Sequence, residues 1–198
     1  MADIQTLDDI GKDNFEEALL EAGIDVEESE ELPEGIGAEF TPRLTAPAYN
    51  NKAYIHTSAG GYNSCIKITS AGSCLPNCVG YAWGRWRELL GKAPSLSRGN
   101  AENWYGYTSD GYKRGQTPKP GAVACWRLGK AGVASDGAGH VAIVEKIAAD
   151  GTVTFSNSAY GGRRFFICNL KAPYYFGSGY VFQGFIYLPG TDSTSGST

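Results

Sequence analysis

A single helical segment followed by a succession of strands is the pattern that most constrains the fold of this chain. Helical spacing begins after Pro76, with Asn77 as a good N-cap and Gly91 as the stop. One face of this helix collects Cys78, Tyr81, Ala82, Arg85, Trp86, Leu89 and Leu90. A second, short helical stretch is predicted around residues 100–105.

Strand-like segments dominate the chain after the helix. Residues 148–151 (Ala-Ala-Asp-Gly) link two of them as a hairpin. Glycine and tyrosine are abundant while charged residues make up only 19%, which favours strands and loops over a helical bundle. We therefore predict an α+β fold in which N-terminal helices pack on a twisted antiparallel sheet. Its strands are predicted at residues 122–126, 140–147, 152–157, 164–170 and 180–188.

The two ends of the chain are interpreted as appendages to one domain that spans residues 40–190. Residues 1–39 contain 14 acidic residues and one basic residue. Within them, residues 14–23 predict a short acidic helix, and residues 26–37 are too acidic to pack. We expect a solvated arm or linker in preference to a docking segment for a partner. Residues 191–198 have the Ser/Thr/Gly composition of a flexible tail.

The charge of the chain is divided unevenly. Residues 40–198 hold 7 acidic and 16 basic residues, so the predicted domain carries about +9. An anionic polymer would be attracted to it. The basic residues are scattered and no nucleic-acid motif is present, so we expect no nucleic-acid partner.

Targeting signals and cysteine use indicate a product that starts in the cytosol. No basic segment followed by an apolar run opens the chain, so no signal peptide is predicted. No stretch approaches the length that spans a bilayer, so we expect no membrane partner. Five cysteines without a repeating framework indicate mostly reduced thiols, although a pair between Cys65 and Cys74 stays open.

Cys78 has the placement of a nucleophile. At the first turn of the predicted helix, its sulfur meets the positive end of the helix dipole and nearby backbone N–H groups, which favour the thiolate. The other four cysteines fall in loops or strands, where a buried and inert thiol is the commoner role. They are Cys65, Cys74, Cys125 and Cys168.

A thiolate nucleophile needs a general base, and the chain has two histidines. His140 opens a strand directly after the flexible segment 135–139, so its ring can face a cleft while the strand fixes its backbone. His56 lies in an irregular segment and is interpreted as structural. We therefore predict that His140 is the base.

Strand alternation predicts which side chain orients the imidazole of His140. With residues 148–151 as the hairpin loop, Ala142 opposes Asn157, so His140 and Asn157 share a face as diagonal neighbours roughly 7 Å apart at the backbone. The Asn157 carbonyl can then reach a ring N–H. Glu145 has the opposite parity and should point away from His140.

Four blocks in order carry a resemblance to a known family. They are Asn77-Cys-Val-Gly-Tyr-Ala-Trp-Gly-Arg85, Pro120-Gly-Ala-Val-Ala-Cys-Trp126, Gly139-His-Val-Ala-Ile-Val-Glu145, and the run from Asp150 through Asn157 to Gly162. Residues 60–188 resemble the CHAP family, the cysteine, histidine-dependent amidohydrolases/peptidases. The resemblance implies a papain-like fold and cleavage of peptidoglycan, either as N-acetylmuramoyl-L-alanine amidase or as endopeptidase.

The resemblance also implies roles for individual residues. The family's nucleophile falls on Cys78, its base on His140 and its third polar residue, often glutamate in relatives, on Asn157. Asn77 and the backbone of Cys78 are the expected oxyanion and orienting groups. Some phage relatives bind calcium on an acidic loop before the nucleophile, but residues 40–77 contain no Asp or Glu, so we expect no metal and no cofactor.

The aromatic residues near these blocks are candidates for the substrate groove, although aromatics at this density are more often core. The candidates are Trp83, Trp104, Tyr105, Trp126 and Tyr160. Phage endolysins, virion-associated lysins and bacterial wall hydrolases resemble this chain. We expect a phage lysin made in the host cytoplasm, which acts on the wall after release by a lysis system or within a virion, where residues 1–39 would contact other virion proteins.

Other functions fit the sequence less well. Cys74 and Cys78 have a zinc-ligand spacing, but no second short-spaced pair completes a site. The chain lacks the serine-hydrolase elbow and the phosphate-binding loop, and its few core acids argue against a glycosidase. The alternative of another class is a non-catalytic wall-binding or structural component of a phage particle.

Overall fold

The computed structural model describes residues 19, 21–24, 26–27, 40–48, 51, 53–54, 77–97, 99–128, 139–159, 165–175 and 179–190. Within them a 13-residue α-helix packs on a seven-stranded sheet, which confirms the predicted α+β class. The helix is α1 (Cys78–Leu90), and the strands are β1 (Val26–Glu27), β2 (Arg114–Gly115), β3 (Val123–Leu128), β4 (His140–Ile147), β5 (Val153–Asn157), β6 (Phe166–Leu170) and β7 (Tyr180–Ile186).

All strand pairs of the sheet are antiparallel, in the order β1-β6-β5-β4-β3-β7-β2. Strand β4, which begins at His140, is therefore central. The second predicted helical stretch is a 3-10 turn at Ala101–Asn103. No helix in the described residues is long and apolar enough to cross a membrane.

Helix α1 begins and ends where its capping residues predict. The Asn77 side chain accepts a hydrogen bond from the Gly80 amide at 2.8 Å, which satisfies one of the amides that a helix start leaves unpaired. Gly91 closes the helix with φ 67°, a left-handed conformation that glycine adopts without a Cβ penalty. Cys78 is therefore the first residue of the helix.

Burial of α1 extends beyond the one face that its apolar spacing predicts. Trp83 and Gly84 are also buried. Tyr54, from the segment before the helix, covers that side: its ring stacks on Tyr81, and a Cβ at Gly84 would lie only 2.5 Å from Tyr54 Cδ1. Glycine at position 84 thus permits close contact between the helix and this segment.

The sheet separates two hydrophobic clusters. The cluster on the α1 side contains Tyr81, Trp86, Cys125, Val141 and Ile143 together with further side chains. The opposite cluster takes the alternate positions of the same strands, including Ala124, Ala142, Val144, Phe155 and Cys168. This is the alternation that a pleated sheet with both faces covered requires.

The hairpin between β4 and β5 has a bulge that the sequence does not reveal. Next to the turn, Ile147 pairs with Val153, one residue away from the predicted partner Thr152. The register then shifts between Val144 and Lys146, and Ile143 pairs with Ser156. Because the bulge inserts one extra residue, the far end of the hairpin regains the predicted register.

The N-terminal segment corrects one expectation. Residues 26–37 were predicted to be too acidic to pack, but Val26 and Glu27 form edge strand β1, and Val26 pairs with Cys168 of β6. Leu19, within the predicted acidic helix, is helical and fully buried in the cluster opposite α1. The average composition of this segment is acidic, but single apolar residues within it still join the domain, Leu19 by burial and Val26 by strand pairing. Residues 28–39 and the predicted tail 191–198 lie outside the described residues.

We predict that Leu19→Ala lowers the free energy of unfolding by about 2–5 kcal/mol, because it removes a fully buried side chain. Glu21→Ala, in the same segment but exposed, is the matched control and should change stability by less than about 0.5 kcal/mol. Urea unfolding of the full chain measures both. Equal midpoints for the two variants would show that the segment does not pack on the domain in solution.

Candidate active site

Cys78 lies at the N-terminus of α1, where the sequence predicts the nucleophile. Its side chain is buried, with 4% exposed. Asn77 directs its side-chain oxygen to the Gly80 amide and its backbone oxygen to the Tyr81 amide, at 2.8 and 3.2 Å. The cap therefore fixes the first turn, which carries the Cys78 sulfur.

Two polar contacts define how α1 lies on the sheet. Tyr81 donates to Ser156 of β5 at 2.6 Å, and one turn later Arg85 contacts Glu145 of β4. These contacts hold α1 against the face of the sheet that carries Glu145 and Ser156. Cys78, the first residue of α1, belongs to the hydrophobic cluster on this side of the sheet, which also contains Val141, the neighbour of His140 in β4.

The predicted contact between His140 and Asn157 is present. Nε2 of His140 lies 3.0 Å from Oδ1 of Asn157, and both side chains are fully buried. Because a side-chain amide oxygen only accepts, this contact requires the proton on Nε2. The other ring nitrogen, Nδ1, is then the basic atom of the neutral imidazole. The catalytic roles of these two residues remain predictions.

The Asn157 amide group is bound at both ends. Its Nδ2 donates to the backbone oxygen of Phe155 at 3.2 Å and to the sulfur of Cys168 at 3.4 Å. With Oδ1 on His140, each end of the amide has partners of the matching type. The amide therefore has one favoured orientation.

The backbone before His140 is tightly enclosed. Gly139 has φ 68°, and a Cβ there would lie 2.5 Å from the Trp126 backbone oxygen and 2.8 Å from the Glu102 amide nitrogen. The Trp126 and His140 ring centroids are 6.2 Å apart. Glycine is thus needed at position 139 for both conformation and space, and the start of β4 is held against its neighbours.

Glu145 forms a buried ion pair under α1. Its carboxylate accepts from Nε and Nη2 of Arg85, both at 3.0 Å, from Ser156 Oγ at 2.7 Å and from the Arg43 amide at 2.8 Å. Burial by itself would lower the pKa of Arg85, but the charge of Glu145 outweighs it and raises that pKa. Glu145 is thus engaged with the helix and not with His140, as the strand parity predicts.

Three of the predicted groove aromatics are core residues. Trp83, Trp104 and Trp126 are at most 2% exposed, so they do not line an open groove. Each packs in one of the two clusters, which explains their density in the sequence. Tyr105 is half-buried, with its hydroxyl 3.3 Å from Gln116 Nε2. Tyr160 lies outside the described residues.

The remaining cysteines differ from Cys78 where the structure describes them. Cys125 and Cys168 are free thiols inside strands, and both are fully buried. Burial raises the pKa of Cys125 far above its ordinary value and that of Cys168 to about 12, so both stay protonated at neutral pH. Cys65, Cys74 and His56 lie outside the described residues. Within those residues no group of three or more His, Cys, Asp or Glu could hold a metal ion.

Several residues of the site escape sequence reasoning. Ser156 links the helix to β5, the strand that carries Asn157, Arg85 links it to Glu145 of β4, and Cys168 contacts Asn157 itself. Strand parity places Ser156 on the helix side of β5. No sequence signal pairs Cys168 with Asn157, because that contact depends on the register between β5 and β6.

Comparison with known proteins places the site in a family context. Residues 69–159 match the model of the CHAP domain family. "Probable autolysin LDP" of Staphylococcus aureus (strain NCTC 8325 / PS 47) is 33% identical over 105 residues, which are 52% of this chain and 35% of that protein. A crystal structure of an N-acetylmuramoyl-L-alanine amidase from Staphylococcus aureus is 27% identical, with a TM-score of 0.41, and the match covers 55% of this chain and 30% of that chain. The chain therefore spans about a third of the length of these relatives.

We predict that Glu145→Gln lowers the free energy of unfolding by about 3 kcal/mol, because it leaves the buried Arg85 guanidinium without its main counter-charge. Asp150→Asn is the control: its ion pair with Lys171 is 60% exposed on both sides, so its loss should leave the stability nearly unchanged. Chemical denaturation measures the difference. A fully stable Glu145→Gln protein would contradict the structural role of this ion pair.

Proposed function

We propose that the protein is a cysteine-dependent hydrolase that cuts an amide bond in bacterial peptidoglycan, because residues 69–159 match the model of the CHAP domain family. The observation that carries the proposal is the buried hydrogen bond between His140 and Asn157, in a chain whose Cys78 is the first residue of α1. A thiol, an imidazole and an orienting amide are the parts that thiol hydrolysis requires.

In the first step, Cys78 acts as the nucleophile. Nδ1 of His140 takes the thiol proton, because Nε2 already carries a proton and donates it in the hydrogen bond to Asn157. The thiolate then attacks the carbonyl carbon of the scissile amide and forms a carbon–sulfur bond. The Cys78 backbone N–H and a donor from Asn77 stabilise the oxyanion that develops.

In the second step, the carbon–nitrogen bond breaks and His140 gives its proton to the leaving amine. The acyl group remains on Cys78 as a thioester. His140 next removes a proton from water, and the resulting hydroxide attacks the thioester. Cleavage of the carbon–sulfur bond releases a carboxylic acid, which loses its proton to solvent, and restores the thiolate and the imidazolium.

Asn157 acts by orientation in this mechanism. Its amide holds the ring with Nδ1 available as base, but it is neutral and adds no negative charge when the imidazolium forms. This differs from relatives that carry glutamate at the third position. Loss of Asn157 should therefore cost less than loss of either reacting group.

The bond that is cut is proposed to be the amide of an N-acetylmuramoyl-L-alanine unit or a peptide bond of the wall. The similarity to the protein named "Probable autolysin LDP" supports this substrate class. The charge of about +9 over residues 40–198 also suits an anionic wall. We further propose a phage lysin, released by a lysis system or carried on a virion through contacts of residues 1–39.

We predict that Cys78→Ala and His140→Ala each abolish lysis of purified cell walls, because each removes a reacting group. Asn157→Ala should reduce kcat/KM by about 10- to 100-fold, as expected for a group that only orients a histidine. Turbidity assays on walls, with circular dichroism to confirm folding, measure these effects. Unchanged lysis by folded Cys78→Ala protein would reject the thiol mechanism and favour a non-catalytic wall-binding role.

Mass spectrometry of the fragments released from purified peptidoglycan identifies the bond. We expect either a muramic acid with a free lactyl carboxylate or a new peptide amino terminus, because both arise from amide hydrolysis. Cys78→Ala protein is the matched control and should release neither. New reducing sugar ends that persist with Cys78→Ala would instead show a glycosidase.

A further inference from the structure

We propose that Cys168 is a positioning residue that holds the Asn157 amide in the orientation required by His140. The inference rests on the proposed function, since it concerns the base of that reaction. Cys168 lies on β6, outside the residues that match the family model. Its sulfur receives the second N–H of the Asn157 amide at 3.4 Å, while the first goes to the Phe155 backbone oxygen.

Reversal of the Asn157 amide would change the chemistry of His140. In the observed orientation Oδ1 accepts from Nε2–H, which leaves Nδ1 as the basic nitrogen. In the reversed orientation the amide NH₂ would donate to Nε2, and the proton of the neutral ring would move to Nδ1. In that tautomer the basic nitrogen is Nε2, which accepts a hydrogen bond from Asn157. Nδ1 already carries a proton and could not take the thiol proton.

The partners of Nδ2 decide between these two orientations. Reversal would turn the amide oxygen toward the Phe155 carbonyl oxygen, which cannot donate, and would take Nδ2 away from both of its acceptors. The Cys168 thiol could then offer the amide oxygen only its weak S–H donor, and His140, Asn157 and Cys168 are all fully buried, so water does not compensate. The Phe155 carbonyl opposes reversal most directly, and the Cys168 sulfur is the contact of this pair that a side-chain substitution can remove.

The sheet fixes the position of the sulfur. Cys168 pairs with Phe155 of β5 on one side and with Val26 of β1 on the other. Its thiol stays neutral at physiological pH, because burial raises its pKa to about 12. It therefore acts as an uncharged, weak acceptor held at a set distance from Asn157.

Cys125 provides a matched control. It is also a fully buried free thiol within a strand, but it belongs to the cluster on the α1 side. Its sulfur lies 3.9 Å from the Val123 backbone oxygen, whereas the Asn157 amide nitrogen contacts Phe155 and Cys168. Substitutions at positions 125 and 168 therefore remove similar volumes and differ in their relation to the base.

The test compares Cys168→Ala, Cys168→Ser, Cys125→Ala and Cys125→Ser in the full chain, with kcat and KM normalised to folded protein. We expect Cys168→Ala to lower kcat by about 10-fold with little change in KM, as for groups that orient a functional histidine. Cys168→Ser keeps an acceptor and should retain more activity than Cys168→Ala. Both Cys125 variants should stay within about twofold of the parent.

A double-mutant comparison separates positioning from a packing effect. If Cys168 acts through the Asn157 amide, Cys168→Ala should cause no further loss in kcat when Asn157 is already Ala. Losses that multiply in the double variant would overturn the proposal. Equal losses for Cys168→Ala and Cys125→Ala would do the same.

Nitrogen-15 NMR of the imidazole rings gives a readout that does not depend on activity. The chain has only His56 and His140, so a His56→Gln variant identifies the His140 signals. We expect the Nε2–H tautomer in the parent and in Cys125→Ala, and a measurable Nδ1–H population in Cys168→Ala. An unchanged tautomer in Cys168→Ala rejects the positioning role, whereas wall lysis that survives Cys78→Ala rejects the proposed function instead.

Discussion

The buried ion pair between Arg85 and Glu145 is the interaction on which the rest of the site depends. A charge of each sign is placed between a helix and a sheet, where an unmatched partner would be strongly unfavourable. The two charges compensate each other through two hydrogen bonds from the Arg85 guanidinium to the Glu145 carboxylate. Ser156 extends this contact to Tyr81, which lies one turn after Cys78. The helix cannot slide or rotate on the sheet without breaking this set, so the position of Cys78, the proposed nucleophile, follows from groups outside the proposed chemistry.

Side-chain alternation along β4 and β5 places the ion-pair residues and the proposed catalytic residues of these strands on different faces of the sheet. Glu145 and Ser156 lie on the α1 side, while Asn157 contacts Cys168 in the opposite cluster. A carboxylate beside a histidine in sequence is an obvious candidate for its partner, but here alternation directs it to an arginine instead. The bulge between Val144 and Lys146 allows this arrangement, because it restores the pairing of Ile143 with Ser156 at the end that carries the site.

The sequence predicts the parts of this structure that depend on local or short-range order. Asn77 and Gly91 mark the ends of α1, and strand alternation brings His140 to Asn157 even though the turn register was one residue off. The burial of Leu19, Trp83 and the partners of Glu145 depends on contacts distant in the chain. Composition and spacing do not contain that information, which is why an acidic segment was expected to remain solvated and tryptophans were considered for a groove.

This chain has Asn157 where relatives often carry glutamate, and this difference gives the Cys168 thiol its proposed role. A carboxylate presents two equivalent oxygens to a histidine, so its rotation by half a turn leaves the hydrogen bond unchanged. An amide has one accepting and one donating end, and reversal exchanges the tautomer of the ring. A chain with asparagine at position 157 therefore needs a further contact that distinguishes the two ends, and Phe155 with Cys168 supplies it. Because Asn157 adds no charge, it acts only through its orientation, and one of the contacts that fix this orientation comes from Cys168 on the neighbouring strand β6.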